Sequence, residues 1–122
     1  MGRILVVDDD PHVRGAVTRI LAREHEVVPA GGGREALSRV DAGERYDAIL
    51  CDLMMPDLSG MGLHAALREK APDLAARVIF MTGGVFTDEQ QTFLERVTNP
   101  RVEKPFDVAQ VRAVVAAVAS GG

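Results

Sequence analysis

The 122-residue chain is 47% hydrophobic and 26% charged, an ordinary composition for a globular protein and a length suited to one hydrophobic core. A formal net charge of −4, with no basic run or aromatic-interleaved patch, argues against a nucleic-acid-binding surface. Cys51 is the only cysteine, which excludes an internal disulfide; with no long apolar stretch and no signal-peptide layout, the chain reads as cytoplasmic and without a membrane span.

Apolar runs and helical patterns alternate along the chain. Ile4 to Val7 is unbroken and rich in β-branched residues, as expected of a strand over residues 3–7 covered on both faces. Asp10 can cap the helix that follows, with Pro11 at its first position and Val13, Ala16, Val17, Ile20 and Leu21 on one stripe. Val27-Val28 predicts a short second strand, and Gly31-Gly32-Gly33 a loop. A second helix is expected around Arg34 to Asp41, with Ala36, Leu37 and Val40 inward. Asp47 to Cys51 reads as the third strand. Pro56 to Gly60 then turns the chain into a helix carrying Leu63, Ala66 and Leu67. Val78 to Met81 is the fourth strand, ended by Thr82-Gly83-Gly84. Thr87 with Gln90 resembles a capping box opening a fourth helix, and Asp107 with Gln110 repeats the device for a fifth. Between them, Arg101-Val102-Glu103 is a short fifth strand. The last helix turns Val108, Val111, Val115 and Val118 inward and finishes at Ser120-Gly121-Gly122.

Five strands alternating with five helices imply right-handed βαβ units and a parallel sheet with helices on both faces, an α/β doubly wound fold. The expected strand order is 2-1-3-4-5, in which the direction of winding reverses between the first and third strands. One domain over residues 1–122, with its core over about 3–118, accounts for the whole chain.

Charge appears where three of these strands stop. Asp8, Asp9 and Asp10 follow the first, Asp52 the third, and Lys104-Pro105 the fifth. In open α/β sheets, ligands bind outside the carboxyl ends of the strands at the reversal point, where Asp8, Asp9 and Asp52 should meet. A hard divalent cation such as Mg²⁺ (or Mn²⁺) takes oxygen ligands. Asp9 and Asp52 can each supply one, Asp8 directly or through water, and carbonyls of the loop after Asp52 are natural further ligands. Such an ion would screen the repulsion between a carboxylate nucleophile and a phosphoryl group. Lys104 can neutralise one phosphoryl oxygen and Thr82 donate to another, so Asp52 could become an acyl phosphate. Gly83 would leave room for the incoming group. Asp10 reads only as a helix cap and Cys51 as a small core residue. His12, His25 and His64 lack metal spacing and read as surface residues, and the Met54-Met55 pair as loop packing.

The segments ILVVDDDP, AILCDLMMPDLSG, VIFMTGG and VEKPF closely resemble the receiver domain of two-component response regulators, from about Arg3 to Val118. Each motif is weak alone, but the ordered set is specific. The resemblance implies a flavodoxin-like (βα)5 sandwich, Asp52 as phosphoacceptor, Asp8 and Asp9 as the metal pair, and the Met54 backbone carbonyl as a further metal ligand. It also implies Thr82 as the switch hydroxyl, Lys104 as the phosphoryl contact and a cis peptide between Lys104 and Pro105. The implied phosphodonor is a phosphohistidine on a histidine kinase or histidine phosphotransfer protein, meeting first-helix residues His12 to Arg19. The fourth helix, fifth strand and fifth helix would form a partner or dimer face. Such a domain catalyses its own phosphorylation and dephosphorylation rather than turning over a metabolite.

Two departures stand out. Arg101 occupies the position three before the lysine where receivers commonly carry Tyr or Phe; its guanidinium could stay on the surface or pair with an acid such as Glu103. Met54 and Gly84, two residues beyond Asp52 and Thr82, offer no general base for a hydrolytic water, which implies slow dephosphorylation. Nothing after Val118 is long enough for an output domain, so the chain could stand alone, relay phosphate or be part of a longer protein. FMTGG, Phe93, Asn99-Pro100 and EKPF resemble receivers of hybrid sensor histidine kinases. Three rival functions fit the sequence less well. A hydrolase with an aspartyl-phosphate intermediate would place Asp-x-Asp on the first strand, a pattern that Asp8 to His12 does not meet. A flavin carrier would need a loop less acidic than residues 8–10. A receiver used only for docking would not need an intact site.

Overall fold

The computed structural model describes residues 2–121; Met1 and Gly122, the latter part of the expected chain end, lie outside the described residues. In chain order the elements are β1 (Arg3–Val7), α1 (Pro11–Leu21), β2 (Glu26–Ala30), α2 (Gly33–Asp41), β3 (Ala48–Asp52) and α3 (Gly60–Lys70). They continue with α4 (Pro72–Ala75), β4 (Val78–Thr82), α5 (Asp88–Arg96), β5 (Arg101–Glu103) and α6 (Val108–Ala119). The sheet is parallel throughout, in the order β2-β1-β3-β4-β5. The expected α/β architecture and strand order are therefore present, with the reversal between β1 and β3.

Alternation along the strands divides the core between the two faces. Ile4 and Val6 of β1, Leu50 of β3 and Ile79 and Met81 of β4 pack with Val17 and Leu21 of α1 and Val111 and Val115 of α6. Leu5 and Val7, Ile49 and Cys51, and Val78 and Phe80 point the other way, against Ala36 and Val40 of α2 and Leu63 and Leu67 of α3. The central strands β1, β3 and β4 are thus buried on both sides, which is why they read as continuous apolar runs. Cys51 is fully buried, as its position suggested.

The helix starts follow the sequence signals. Asp10 accepts from the His12 amide at 2.8 Å with Pro11 at the first turn. Thr87 and Gln90 form both halves of a capping box. Asp107 accepts from the Gln110 amide, but here only that half is made. Six helices are present among the described residues rather than five: α4 is a single turn begun by Pro72, too short to carry a readable periodicity. β2 runs two residues beyond Val28, through Pro29, which an edge strand tolerates because its N–H would face outward. β3 and β4 each extend one residue further than expected, so Asp52 and Thr82 end the strands themselves. No helix of the described residues is long and apolar enough to cross a membrane.

His64 departs most from expectation. Instead of lying on the surface it is buried, its ring 5.8 Å from Phe80 and 5.5 Å from Phe93, while those two meet edge-on at 5.3 Å. Position 64 shares the inward face of α3 with Leu63 and Leu67, and the imidazole fills an aromatic gap between β4 and α5. Burial holds its pKa below the usual range, against a side-chain hydrogen bond to Asn99 that favours the charge and with a further lowering from Arg68.

A histidine with a depressed folded-state pKa takes up its proton more readily when unfolded. The unfolded state therefore binds more protons below the ordinary value near 6.5, and stability falls as pH drops through that window. Urea midpoints taken between about pH 7 and pH 5 should decline less steeply in His64→Leu than in the parent chain. Parallel declines would show that His64 is not the titrating group.

Candidate functional site

The reversal between β1 and β3 sets their carboxyl ends side by side, with Val7 paired to Cys51. The residue after each is an aspartate, so Asp8, just past β1, and Asp52, the last residue of β3, stand side by side at the sheet edge. Oxygens of Asp8, Asp9 and Asp52 all lie within 4.8 Å of one another. On the other side of β3, Asp52 is paired with Met81, and Thr82 comes next. Thr82 pairs in turn with Glu103 of β5, which delivers Lys104 to the same end. The Lys104–Pro105 peptide is cis, as the resemblance implied. Four strands thus converge the five side chains singled out from the sequence.

The lysine is shared. Its Nζ lies 3.4 Å from Asp8 Oδ2 and 3.3 Å from Asp52 Oδ2. Burial works against its charge, but attraction from Asp52 and Asp8 outweighs this and raises its pKa. Asp8 is completely buried. Its pKa is raised, first by that burial; the Asp10 amide, donating to Asp8 Oδ1 at 2.8 Å, and Lys104 pull it down, while repulsion from Asp52 pushes it up. One ammonium therefore faces three carboxylates. The donor set is all oxygen, crowded and negative in excess, and it fits a hard divalent cation.

Asp52 is further oriented by the Met54 amide, which donates to Oδ1 at 3.2 Å. A cavity of about 240 Å³ opens beside it, lined by Leu53, Met54, Thr82, Gly83, Val85, Phe86, Gln90 and Lys104 as well as Asp52. Thr82 Oγ1 is buried in this wall without a hydrogen-bond partner among the described residues. A buried hydroxyl without a partner costs free energy, and an anionic oxygen in the cavity would satisfy it. Gly83 has open space where a Cβ would stand, so nothing obstructs a ligand there.

Arg101 stays exposed at the surface rather than pairing with Glu103, and its guanidinium lies over the Phe86 ring, 5.6 Å from the centroid. Met54 and Met55 split their duties, Met55 packing in the core while Met54 is 59% exposed at the cavity rim. Sequence reasoning missed Arg14, whose Nη1 donates to the Asp8 carbonyl at 2.7 Å from the second turn of α1. It also missed Gln90 as a cavity wall; its capping-box spacing was visible, but not its inward direction.

The sequence profile described as the response regulator receiver domain matches residues 4–116. The transcriptional regulatory protein TcrA of Mycobacterium tuberculosis is 31% identical over 98% of this chain and 47% of its own length. Hybrid signal transduction histidine kinase L of Dictyostelium discoideum is 26% identical over 94% of this chain but only 7% of its own. The chain thus spans about half the length of the first relative and a small part of the second. Among solved structures, the receiver domain of a signal transduction histidine kinase from Syntrophus aciditrophicus superposes with a TM-score of 0.85 at 27% identity, over 99% of this chain and 92% of that one.

The crowding of charge makes a stability prediction. Asp8→Asn keeps an oxygen for the Asp10 amide while removing one buried charge, so it should stabilise the metal-free protein by on the order of 1 kcal/mol. If Mg²⁺ raises the urea midpoint of the parent chain, the same change should weaken that rise. A lower midpoint in EDTA than the parent would contradict the reading of the site as overcharged.

Proposed function

The chain belongs to the response regulator receiver domain family, and from that premise we propose that it accepts a phosphoryl group on Asp52 in two-component or phosphorelay signalling. The observation that carries this reading is the placement of Asp52 between an acid pair and Lys104, facing a cavity whose buried Thr82 hydroxyl has no partner among the described residues.

In the proposed step an Asp52 carboxylate oxygen attacks the phosphorus of a phosphohistidine. A P–O bond to Asp52 forms as the P–N bond breaks, and the electron pair returns to the imidazole nitrogen. Asp8, Asp9, Asp52 and the Met54 carbonyl would hold Mg²⁺, or Mn²⁺ in its place. That ion supplies Lewis-acid neutralisation of the phosphoryl oxygens. Lys104 moves its ion pair from Asp52 to the incoming group, and Thr82 donates its unused proton to a second oxygen. Arg14 and the Asp10 amide keep Asp8 in place throughout.

The donor would be a histidine kinase or phosphotransfer protein reaching the site past α1, where His12 and Arg19 are exposed. The face of α5, β5 and α6 would carry the outcome to a partner or a second copy, and Arg101 on Phe86 lies in that face. An aspartyl-phosphate hydrolase is the less supported reading, because neither Met54 nor Gly84 can act as a base toward water.

Incubation with a small-molecule phosphodonor and Mg²⁺, followed by intact-mass measurement, should show a single phosphoryl adduct. The adduct should vanish in Asp52→Asn and in EDTA, and Lys104→Ala should slow its formation by at least about tenfold. No adduct in the parent chain would overturn the proposal in favour of docking without phosphorylation. Once made, the adduct should decay slowly after the donor is removed; loss as fast as the first sampling would contradict the absence of an assisting base.

A further inference from the structure

The loop from Asp52 to Ser59, which carries Met54, is fastened to the start of α2 by a contact between residues 23 apart in sequence. α2 begins at Gly33, and its N-cap is Gly32, which has no side chain to accept from the exposed first-turn amides. Glu35 reaches back to the Gly31 amide at 3.0 Å, one half of a capping arrangement. The other half comes from Asp57: its Oδ2 accepts from the Arg34 amide at 3.2 Å, and its Oδ1 from the Leu58 amide at 2.7 Å. Burial acts to raise the Asp57 pKa, but the Leu58, Arg34 and Gly33 amides lower it on balance, as expected of a carboxylate at a helix N-terminus.

The approach leaves no room for side chains. A Cβ on Gly32 would stand 2.7 Å from Asp57 Oδ2, and one on Gly33 would stand 2.5 Å from the Leu58 carbonyl oxygen. The two glycines therefore make the surface on which the loop rests. At its other end the loop is held by Leu53, whose amide donates to the Met81 carbonyl at 3.1 Å. Met54 lies between these two fastenings.

We infer that Asp57 is a positioning residue: by capping α2 from outside that helix it fixes the loop on which Met54 is offered to the metal. The inference rests on the metal-dependent reading proposed above. If the cap is lost, the loop populates the ligating arrangement less often, and apparent metal affinity falls by that fraction. Outer-shell supports of metal sites commonly matter at the tenfold level or beyond.

The test is Mg²⁺ affinity by titration calorimetry on the parent chain and three variants, with amide hydrogen exchange at Arg34 as a second reading of the cap. Asp57→Ala should lower the affinity about tenfold and speed exchange at Arg34. Asp57→Asn keeps a capping oxygen without the charge and should restore both to near the parent values. Gly32→Ala displaces the carboxylate from the helix side and should reproduce the loss with every loop residue unchanged. In a phosphodonor assay, the Asp57→Ala defect should shrink at saturating Mg²⁺. Unchanged Mg²⁺ affinity in a folded Asp57→Ala overturns the inference alone. Equal losses in Asp57→Asn and Asp57→Ala overturn it too, since charge rather than capping would then be responsible. If Asp57→Ala does not fold, Gly32→Ala decides on the same affinity reading. A parent chain that binds no Mg²⁺ removes the metal-dependent reading itself, and the inference with it.

Discussion

Asp8 and Asp52 stand at the ends of adjacent parallel strands and share a single ammonium, that of Lys104. The rest of the structure depends on that arrangement of like charges. Parallel strands bring their carboxyl ends to one edge, and the reversal between β1 and β3 removes the helix that would otherwise cover them. The sheet is held rigid by two apolar layers, so the carboxylates cannot move apart to relieve their repulsion. An overcharged, pre-formed oxygen cluster is the condition under which a small divalent cation gains most from binding. On the proposed reading, the same crowding would leave the Asp52 oxygen in place for attack without further movement.

Around this centre the polar groups fall into two kinds. Arg14, the Asp10 amide and the Met54 amide are already engaged and hold the acids still. Thr82 Oγ1 is buried and unengaged. A phosphoryl oxygen would satisfy that hydroxyl, so binding energy is available to move the strand end that bears it. Phe86, in the same cavity wall four residues on, lies under Arg101. A guanidinium on a ring thus lies beside the cavity that Thr82 lines.

How much of this could be read from the sequence depends on the range of each interaction. The central strands, the Asp10 cap and the Thr87–Gln90 box are set by neighbours within four residues, and all were legible. The site was legible because charge at the end of an apolar run has few other meanings when it recurs at three strand ends. His64 was misread because its helix face is shared by polar and apolar residues, and only the aromatic gap beneath it decides its burial. Asp57 left no local trace: its partner lies 23 residues away and is a backbone amide, for which no residue type is diagnostic. The contact of Arg101 with Phe86 joins two chain segments that only the tertiary fold brings together.

The most direct test of the account is a crystal structure of the protein soaked with Mg²⁺ and beryllium fluoride, a stable phosphoryl mimic. That structure should show the fluoride complex on Asp52, a cation against the acid cluster and the Met54 carbonyl, and both Lys104 Nζ and Thr82 Oγ1 turned onto the mimic. An unmodified Asp52, or a cation bound away from Asp8, Asp9 and Asp52, would contradict it.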